Sequence, residues 1–212
     1  TGVTKDESED LKKKLTEALI EKARTLKVGD GLEEGTTVGP LVNAKALEKV
    51  EKYVSIGREE GAQLIIGGAR PDNEKGYFYM PTLFTDVRRD MRIAREEIFG
   101  PVLSMIEVRD LDEAIEVNNE VAYGLSSSLF TENVNAAFRA IRDLTTGIVY
   151  INHGTTGAEI QFPFGGTRGT GNGMREAGAT ALDSFTEWKS VYVDYSGKLQ
   201  RAQIDTEDVL KS

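Results

Sequence analysis

The chain has 212 residues, of which 39% are hydrophobic and 29% charged, an ordinary composition for a globular protein with one substantial core. Its formal net charge of −9 disfavours nucleic acid and anionic membranes as main partners, because both attract basic surfaces. The sequence contains no cysteine, which excludes disulfides, a thiolate nucleophile and a Cys-ligated zinc site within this chain. It contains only one histidine, His153, which disfavours a His-rich metal site and a Ser-His-Asp triad.

Apolar residues at helical spacing predict two helices near the start of the chain. The first runs from about Glu7 to Leu26, with acidic residues at its front and Lys and Arg towards its end, the order that suits the helix dipole. The second follows Asn43, a residue type that commonly caps a helix N-terminus, and ends at Gly61. The stretch QLIIGG, from Gln63, then predicts a short strand.

Strand and helix patterns alternate after an extended aromatic segment that is interrupted by Pro81. Such alternation with short connections is typical of an α/β unit with parallel strands. The predicted strands are 101–108, 124–131 and 147–152, and the helices between them are 110–120 and 133–144. One side of the second of these helices is apolar and consists of Val134, Ala137, Phe138 and Ile141.

The stretch 153–178, HGTTGAEIQFPFGGTRGTGNGMREAG, is long, rich in glycine and without hydrophobic period, as functional loops and lids often are. It lacks the G-x-x-x-x-G-K-[ST] pattern of a phosphate-binding loop, and its glycines do not open a helix directly after a strand, as a dinucleotide fingerprint requires. The glycines are interpreted as positions where the backbone turns and passes close to another segment, with direct phosphate binding as the alternative.

The last patterned stretch is 181–195, ALDSFTEWKSVYVDY, which predicts a short helix and a closing strand. The apolar alternation of that strand suggests half-burial. Trp188 is expected to be a packing anchor beside it, with an interface role as the alternative. From Gly197 onward the tail is polar and is expected to be loosely held.

Two features suggest chemistry. His153 follows the predicted strand 147–152, at the edge where α/β folds place ligands, and is either a general base or a local hydrogen-bonding residue; the lack of an evident carboxylate partner favours the second. In EEIFGPVLSM, Glu97 and Phe99 point to the same side if the segment is extended. Such a pair suits a sugar diol and a planar ring, whereas the adjacent acids Glu96 and Glu97 are the pattern of a simple solvated pair.

Long stretches in the same order along the chain closely resemble the aldehyde dehydrogenase superfamily. They are LKVGDGLEEGTTVGPLVN, EEGAQLIIGG, YFYMPTLFTDVRRDMRIAREEIFGP, the continuation to SSSLFT, GIVYIN and PFGGTRGTGNG. The resemblance implies an α/β fold with a three-layer sheet of mostly parallel strands and flanking helices. It divides the chain into a catalytic-domain portion at 1–186, an oligomerisation strand at 187–196 and a polar tail at 197–212.

The resemblance also implies NAD(P)-dependent oxidation of an aldehyde to a carboxylate. In that family a cysteine thiolate attacks the aldehyde, hydride passes to the nicotinamide, and water activated by a glutamate hydrolyses the thioester. By similarity, Glu97 accepts hydrogen bonds from the nicotinamide-side ribose and Phe99 packs beside the nicotinamide, while Gly100 and Pro101 fix the turn into the next strand. The role of Glu97 fits its chemistry, because a ribose diol offers two donors and a carboxylate offers acceptors for both.

The chain departs from the family in having no cysteine. The family's motifs around the nucleophile, the catalytic glutamate and the dinucleotide-binding glycines all precede the region that this chain resembles. We therefore expect a C-terminal portion of the enzyme, as a domain fragment, a proteolytic product or a split-gene product. We expect it to hold no catalytic residue, to be inactive alone and to bind NAD or NADP weakly; the alternative is a non-catalytic scaffold or oligomerisation module.

By resemblance, the loop between YIN and PFGG lines the aldehyde entrance, and Phe164 forms part of the pocket wall. TGAEI in this loop is similar to the aminoadipate semialdehyde branch, in which a Gly-Ala pair presents backbone N–H groups to a distal carboxylate. Gly157 and Ala158 are thus the candidates that anchor a semialdehyde carboxylate. A loop shaped for an apolar aldehyde is an equal alternative.

The expected partners are a small-molecule aldehyde, the missing N-terminal portion of the enzyme and further copies of the chain, in a dimer or tetramer joined through 187–196. We expect no nucleic acid, no membrane and no metal ion. No apolar run approaches the roughly 20 residues of a membrane span, and the polar, acidic N-terminus does not have the pattern of a signal peptide. These features predict a cytoplasmic protein.

Overall fold

The computed structural model describes residues 5–72 and 75–197, so 198–212 of the predicted polar tail lie outside the described residues. Helices and strands alternate through this part of the chain. The helices are α1 (Lys5–Thr25), α2 (Ala44–Glu59), α3 (Arg92–Arg95), α4 (Leu111–Glu120), α5 (Val134–Asp143) and α6 (Ala181–Phe185). The strands are β1 (Gln63–Ile66), β2 (Thr82–Thr85), β3 (Val102–Ser104), β4 (Tyr123–Gly124), β5 (Ser126–Leu129), β6 (Ile148–Ile151) and β7 (Thr167–Arg168).

Local capping residues set the helix boundaries. The side chain of Asn43 accepts a hydrogen bond of 2.9 Å from the N–H of Ala46 at the start of α2, and Gly61 takes a φ of 92° just after its end. Asp110 caps α4 in the same way, accepting from the N–H of Glu113 at 2.9 Å. Both predicted helix starts are confirmed. Within residues 5–72 and 75–197, no helix is long and apolar enough to cross a membrane.

Strand pairing forms three small sheets in the described part of the chain. In the largest, β1 pairs antiparallel with β2, and β2 pairs parallel with β3. β5 and β6 are parallel and are joined by α5 as the crossover, while β4 and β7 form a short antiparallel pair. Mixed sheets with helices make this an α/β fold, and among the three strands predicted to be parallel the pairing is confirmed for β5–β6. β3 and β5 lie in different sheets.

The main hydrophobic core lies between α2 and the β1-β2-β3 sheet. Val50 and Phe84 are 0% exposed and Met91 is 1% exposed. Each such buried side chain stabilises the fold by about 1.5–3 kcal/mol. The cluster therefore fixes α2 and the α3–β3 connection against the sheet. Its members are Leu47, Val50, Tyr53, Val54, Ala62, Tyr79, Phe84, Val87, Met91, Ile93 and Ile98.

The later part of the chain exposes much of its apolar surface. The apolar side of α5 faces outward, with Val134 63%, Phe138 68% and Ile141 52% exposed. Residues 187–195 form no strand with the described part of the chain and are exposed, so the expected half-burial is not present within the chain. The physical reason is that no described strand pairs with the segment, so its backbone and apolar side chains stay in solvent. Trp188, 92% exposed, is not a packing anchor within the chain.

Candidate functional site

The two adjacent glutamates at the end of α3 have different surroundings. Glu96 accepts hydrogen bonds from Arg92, with Nε at 2.8 Å and a terminal nitrogen at 2.9 Å, and from the hydroxyl of Tyr53. The Arg92 guanidinium and then the Tyr53 hydroxyl lower the pKa of Glu96 to about 2. The same hydrogen bond, with burial, raises the pKa of Tyr53. Glu96 is thus an anchored anion, which the sequence interpretation of a solvated pair did not foresee.

Glu97 is exposed and forms no hydrogen bond or ion pair with any residue in the described ranges. Two residues on, the ring of Phe99 is 76% exposed. Both side chains are therefore available to a ligand. The segment is nonetheless not the continuous extended strand from which their common direction was predicted, because Phe99 has a left-handed φ of 58°.

Residues at alternate positions hold this segment against the protein. Glu96 is anchored as described, Ile98 is only 9% exposed and belongs to the core, and Gly100 packs against Val50 of α2. A Cβ on Gly100 would lie 2.3 Å from Cγ2 of Val50, so only glycine fits there without movement. The Pro101 carbonyl accepts a hydrogen bond of 2.8 Å from the N–H of Thr82 and leads the chain into β3.

Phe99 lines an apolar cavity of about 460 Å³ between the 38–42 loop and the turn at 99–101. Tyr79 and Ala46 form the rest of its wall. Glu97 lies outside that wall. A planar group packed on the Phe99 ring would therefore contact an apolar surface on one side, and the Glu97 carboxylate lies two residues away in the chain.

A second cavity, of about 500 Å³, brings together the three residues predicted to contact the substrate. Gly157, Ala158 and Phe164 all line it, as does His153 at the end of β6. The rest of its wall is largely apolar and is formed by Gly147, Ile148, Val149, Tyr150, Phe162 and Pro163, with Glu159 as its acidic member.

Two residues of the loop that line this cavity have backbone N–H groups without a described partner. Neither Gly157 nor Ala158 donates a backbone hydrogen bond to any described residue. Gly157 has a φ of 84°, a conformation that glycine adopts at no steric cost. Successive free N–H groups around such a turn form a concave surface that favours anions.

His153 behaves as the local hydrogen-bonding residue that the sequence favoured. Its Nδ1 lies 2.7 Å from the carbonyl oxygen of Gly154, and its ring stacks on Tyr150 with centroids 5.5 Å apart. Since a carbonyl oxygen only accepts, Nδ1 carries the proton. No carboxylate of the described residues bonds the imidazole, so the arrangement of a paired general base is not present in the chain.

The glycine-rich stretch allows close backbone approaches, as predicted. A Cβ on Gly147 would lie 1.8 Å from the carbonyl oxygen of Gly165, and one on Gly171 would lie 2.2 Å from that of Gly166. The first contact joins the loop to the start of β6, and the second joins two positions within the loop. They show that Gly147 and Gly171 are required by close backbone approach.

Sequence reasoning missed the anchoring contacts of Glu96. The Arg92–Glu96 pair is spaced i,i+4, a spacing that signals a helical ion pair. The contact with Tyr53 spans 43 residues and has no sequence signal. Arg92 also lies over the Tyr53 ring, 5.4 Å from its centroid.

Comparison with known proteins gives consistent matches over most of the chain. A family model described as the aldehyde dehydrogenase family matches residues 8–191. The chain is 39% identical over 180 residues to an alpha-ketoglutaric semialdehyde dehydrogenase of Bacillus subtilis, covering 84% of this chain and 37% of that protein. It is 43% identical over 189 residues to a betaine aldehyde dehydrogenase of Brucella anthropi, covering 87% and 38%.

Solved structures match at a similar level. An NAD-dependent aldehyde dehydrogenase from Sinorhizobium meliloti has a TM-score of 0.84 at 37% identity, over 90% of this chain and 37% of its own. The NAD+ complex of an aldehyde dehydrogenase from Bacillus cereus has a TM-score of 0.82 at 41% identity, over 86% and 37%. The chain thus spans between a third and two fifths of the length of these relatives.

Proposed function

Because the chain belongs to the aldehyde dehydrogenase family, we propose that it forms part of a protein that oxidises an aldehyde to a carboxylate with NAD or NADP as acceptor. The observation that carries this proposal is the family match across residues 8–191, together with the structural similarity to an NAD+ complex at 41% identity. Since the chain spans only 37% of that protein, the activity of the whole is the proposal.

Glu97 and Phe99 are the residues proposed to hold the cofactor. The exposed carboxylate of Glu97, which has no partner among the described residues, suits the two hydroxyls of a ribose, and the exposed ring of Phe99 suits the face of a nicotinamide. The residues present therefore fit the cofactor. When bound, NAD or NADP supplies the acceptor for the hydride of the aldehyde. The role of this chain is to orient the ribose and brace the ring at that place.

Gly157, Ala158 and Phe164 are proposed to form one side of the substrate pocket. The two unpartnered N–H groups support a substrate with a carboxylate at the end remote from the aldehyde. The name of the Bacillus subtilis relative, an alpha-ketoglutaric semialdehyde dehydrogenase, agrees with this substrate class, whereas the Brucella anthropi relative is named for betaine aldehyde. The mostly apolar wall would contact the carbon chain between the aldehyde and the carboxylate of such a substrate.

The chain alone is proposed to be inactive. It contains no cysteine, and no other side chain offers a comparably activated nucleophile. The purified 212-residue chain should give no NADH from any of a set of aldehydes. Measurable turnover by the chain alone would contradict this proposal.

In the whole protein, the separate small sheets are proposed to join a single three-layer sheet, and 187–196 to pair with a neighbouring subunit in a dimer or tetramer. Free strand edges and the exposed apolar residues at 187–195 support this arrangement. Sedimentation of the whole protein with and without residues 187–196 would test it.

A chimera tests the activity directly. This chain would replace the matching stretch of the Bacillus cereus enzyme, of which it covers 37% at 41% identity. NADH formation from an aldehyde is expected, and Glu97→Gln and Phe99→Ala are expected to raise the KM for NAD. A chimera that folds and assembles without activity would instead favour the non-catalytic scaffold.

Substrate class is tested in the same chimera. Ala158→Pro deletes one of the two backbone donors, because proline has no N–H. The variant should raise the KM for a carboxylate-bearing semialdehyde and leave that for a plain aliphatic aldehyde of equal length nearly unchanged. An equal change for both substrates would favour the pocket shaped for an apolar aldehyde.

A further inference from the structure

The connection from α3 to β3 presents two exposed side chains from a backbone that is fixed between them. Glu97 and Phe99 face outward, while Ile98 is buried in the core and Gly100 packs on Val50. Ile98 and Gly100 fix the middle and the C-terminal side of the segment. Its N-terminal side is held at Glu96, whose N–H donates to the Arg92 carbonyl at 2.9 Å and whose side chain makes further contacts.

The contacts of Glu96 form a compact group, here called the Glu96 clamp and consisting of Tyr53, Arg92 and Glu96. The carboxylate accepts two hydrogen bonds from Arg92, at 2.8 and 2.9 Å, and one from the Tyr53 hydroxyl. Charge-assisted, two-point pairs of this kind restrict direction as well as distance. Glu96 is therefore held in one orientation, and so is the peptide bond that leads to Glu97.

The two partners of Glu96 are themselves held firmly. Tyr53 lies on α2, is 9% exposed and belongs to the core. Arg92 packs over the Tyr53 ring at 5.4 Å, and its backbone N–H donates to the Glu60 carboxylate at 2.8 Å. The clamp thus connects the segment to the main hydrophobic core through Tyr53.

The conformation that follows is one that a phenylalanine rarely adopts. Phe99 has a φ of 58°, and a bulky residue persists there only where the surrounding structure imposes it. With Gly100 fixed behind Phe99, the remaining freedom lies on the Glu96 side. Loss of the clamp would free the segment before Ile98; it would turn Glu97 directly, and it would let Phe99 relax towards ordinary φ values through a movement of Ile98.

We propose that Glu96, held by Tyr53 and Arg92, is a positioning residue that sets the directions of Glu97 and Phe99 towards the nicotinamide-side ribose and ring of a bound dinucleotide. The inference rests on the proposed function for its ligand, whereas its geometric part concerns the chain alone. Glu96 itself touches no cofactor. Its effect passes through the backbone of one short segment.

The geometric part is tested by NMR on the isolated 212-residue chain. Glu96→Ala should move the backbone Cα and Cβ chemical shifts of Phe99 towards those of a residue with negative φ, and Glu96→Gln, which keeps an acceptor oxygen, should move them less. The matched control is Glu51→Ala, which breaks another two-point pair on α2, with Arg70 at 2.7 and 3.0 Å. The control should leave Phe99 unchanged. Unaltered Phe99 shifts in Glu96→Ala would overturn the proposal.

Tyr53→Phe covers the case in which Glu96→Ala does not fold. It keeps the ring in the core and removes only the hydroxyl that reaches Glu96. A shift of the Phe99 resonances in the same direction is expected. If the Glu96 side chain moves in Tyr53→Phe while the Phe99 resonances stay in place, the clamp does not control the segment.

The functional part is tested in the chimera by a double-mutant cycle on the KM for NAD. Glu96→Ala should raise that KM about tenfold or more, since small displacements of positioning groups have effects of this size, with little change in the KM for aldehyde. Combined with Glu97→Gln and Phe99→Ala, it should add almost nothing, because there is then nothing left to orient. If Glu96 had a purely structural role, Glu96→Ala would lower stability and would raise the KM for NAD by the same factor with and without the changes at Glu97 and Phe99. That result would overturn the proposal. An inactive chimera with the predicted NMR shifts would count against the proposed function only.

Discussion

Replacing Gly100 by alanine is expected to destabilise the chain, because the added methyl group would lie 2.3 Å from Cγ2 of Val50. Carbon atoms in ordinary contact are about 3.5–4.0 Å apart, so the overlap exceeds one ångström. Val50 cannot move away easily. It is 0% exposed, and a β-branched side chain in a helix has essentially one favoured rotamer. The turn at 99–101 must therefore move away from α2.

The size of the effect follows from two opposing contributions. Overpacking a close-packed core costs about 1–3 kcal/mol, and an overlap of this depth against a rigid neighbour belongs in the upper half of that range. The reduced freedom of alanine in the unfolded chain offsets about 0.4–1 kcal/mol. The expected net loss is about 2 kcal/mol. Because urea slopes are about 1–3 kcal/mol per molar, the unfolding midpoint should fall by about 1 M.

Urea unfolding followed by far-ultraviolet circular dichroism measures this difference. The matched control is Gly31→Ala, at a position where an added Cβ meets nothing within 4 Å. The control should keep its midpoint or raise it slightly. Adding Val50→Ala to Gly100→Ala should cost less than the sum of the two single changes, because it removes the clash. A Gly100→Ala midpoint no lower than that of the control would refute the packing argument.

Three further predictions concern the two ends of the site. Because the folded-state pKa of Glu96 is lowered to about 2 from 4.5, its contribution to stability is present above pH 4.5 and is lost as the pH falls towards 2. Glu96→Gln should therefore flatten the dependence of the unfolding free energy on pH in that window, measured by urea unfolding at several pH values, and an unchanged slope would contradict this. Imidazole nitrogen NMR of the single histidine, His153, should show the Nδ1–H tautomer in its neutral form, because Nδ1 lies 2.7 Å from the Gly154 carbonyl oxygen; the Nε2–H tautomer would be incompatible with that contact. Gly147→Ala should displace the loop, because its Cβ would lie 1.8 Å from the Gly165 carbonyl oxygen, and amide exchange should rise near Gly165; unchanged exchange would show that the close approach is not required.

Features governed by local rules were predictable from the sequence. Asn43 and Asp110 cap the helices that their positions predicted, since a short polar side chain satisfies the first free N–H groups of a helix. β5, α5 and β6 follow the alternation of strand and helix patterns, and the crossover makes the two strands parallel. The glycines that allow close backbone approach were recognised by type, because only glycine tolerates such contacts.

Features governed by contacts between distant segments were not predictable. The hydrogen bond between Tyr53 and Glu96 depends on how α2 packs beside α3, which no local pattern encodes. The left-handed backbone at Phe99 results from constraints on both sides of one residue. The predicted strand at 187–195 is not formed within the described residues, because alternation indicates that a segment can pair, and pairing needs a partner that these residues do not supply.

Glu97 and Phe99 are proposed to contact the nicotinamide half of the cofactor. The most direct measurement is the distance from the Glu97 carboxylate oxygens to the ribose hydroxyl oxygens in a crystal structure of the chimera with NAD bound. A distance of about 2.5–3.0 Å is expected, with the Phe99 ring against the nicotinamide. A well-ordered dinucleotide with both side chains beyond contact would contradict it.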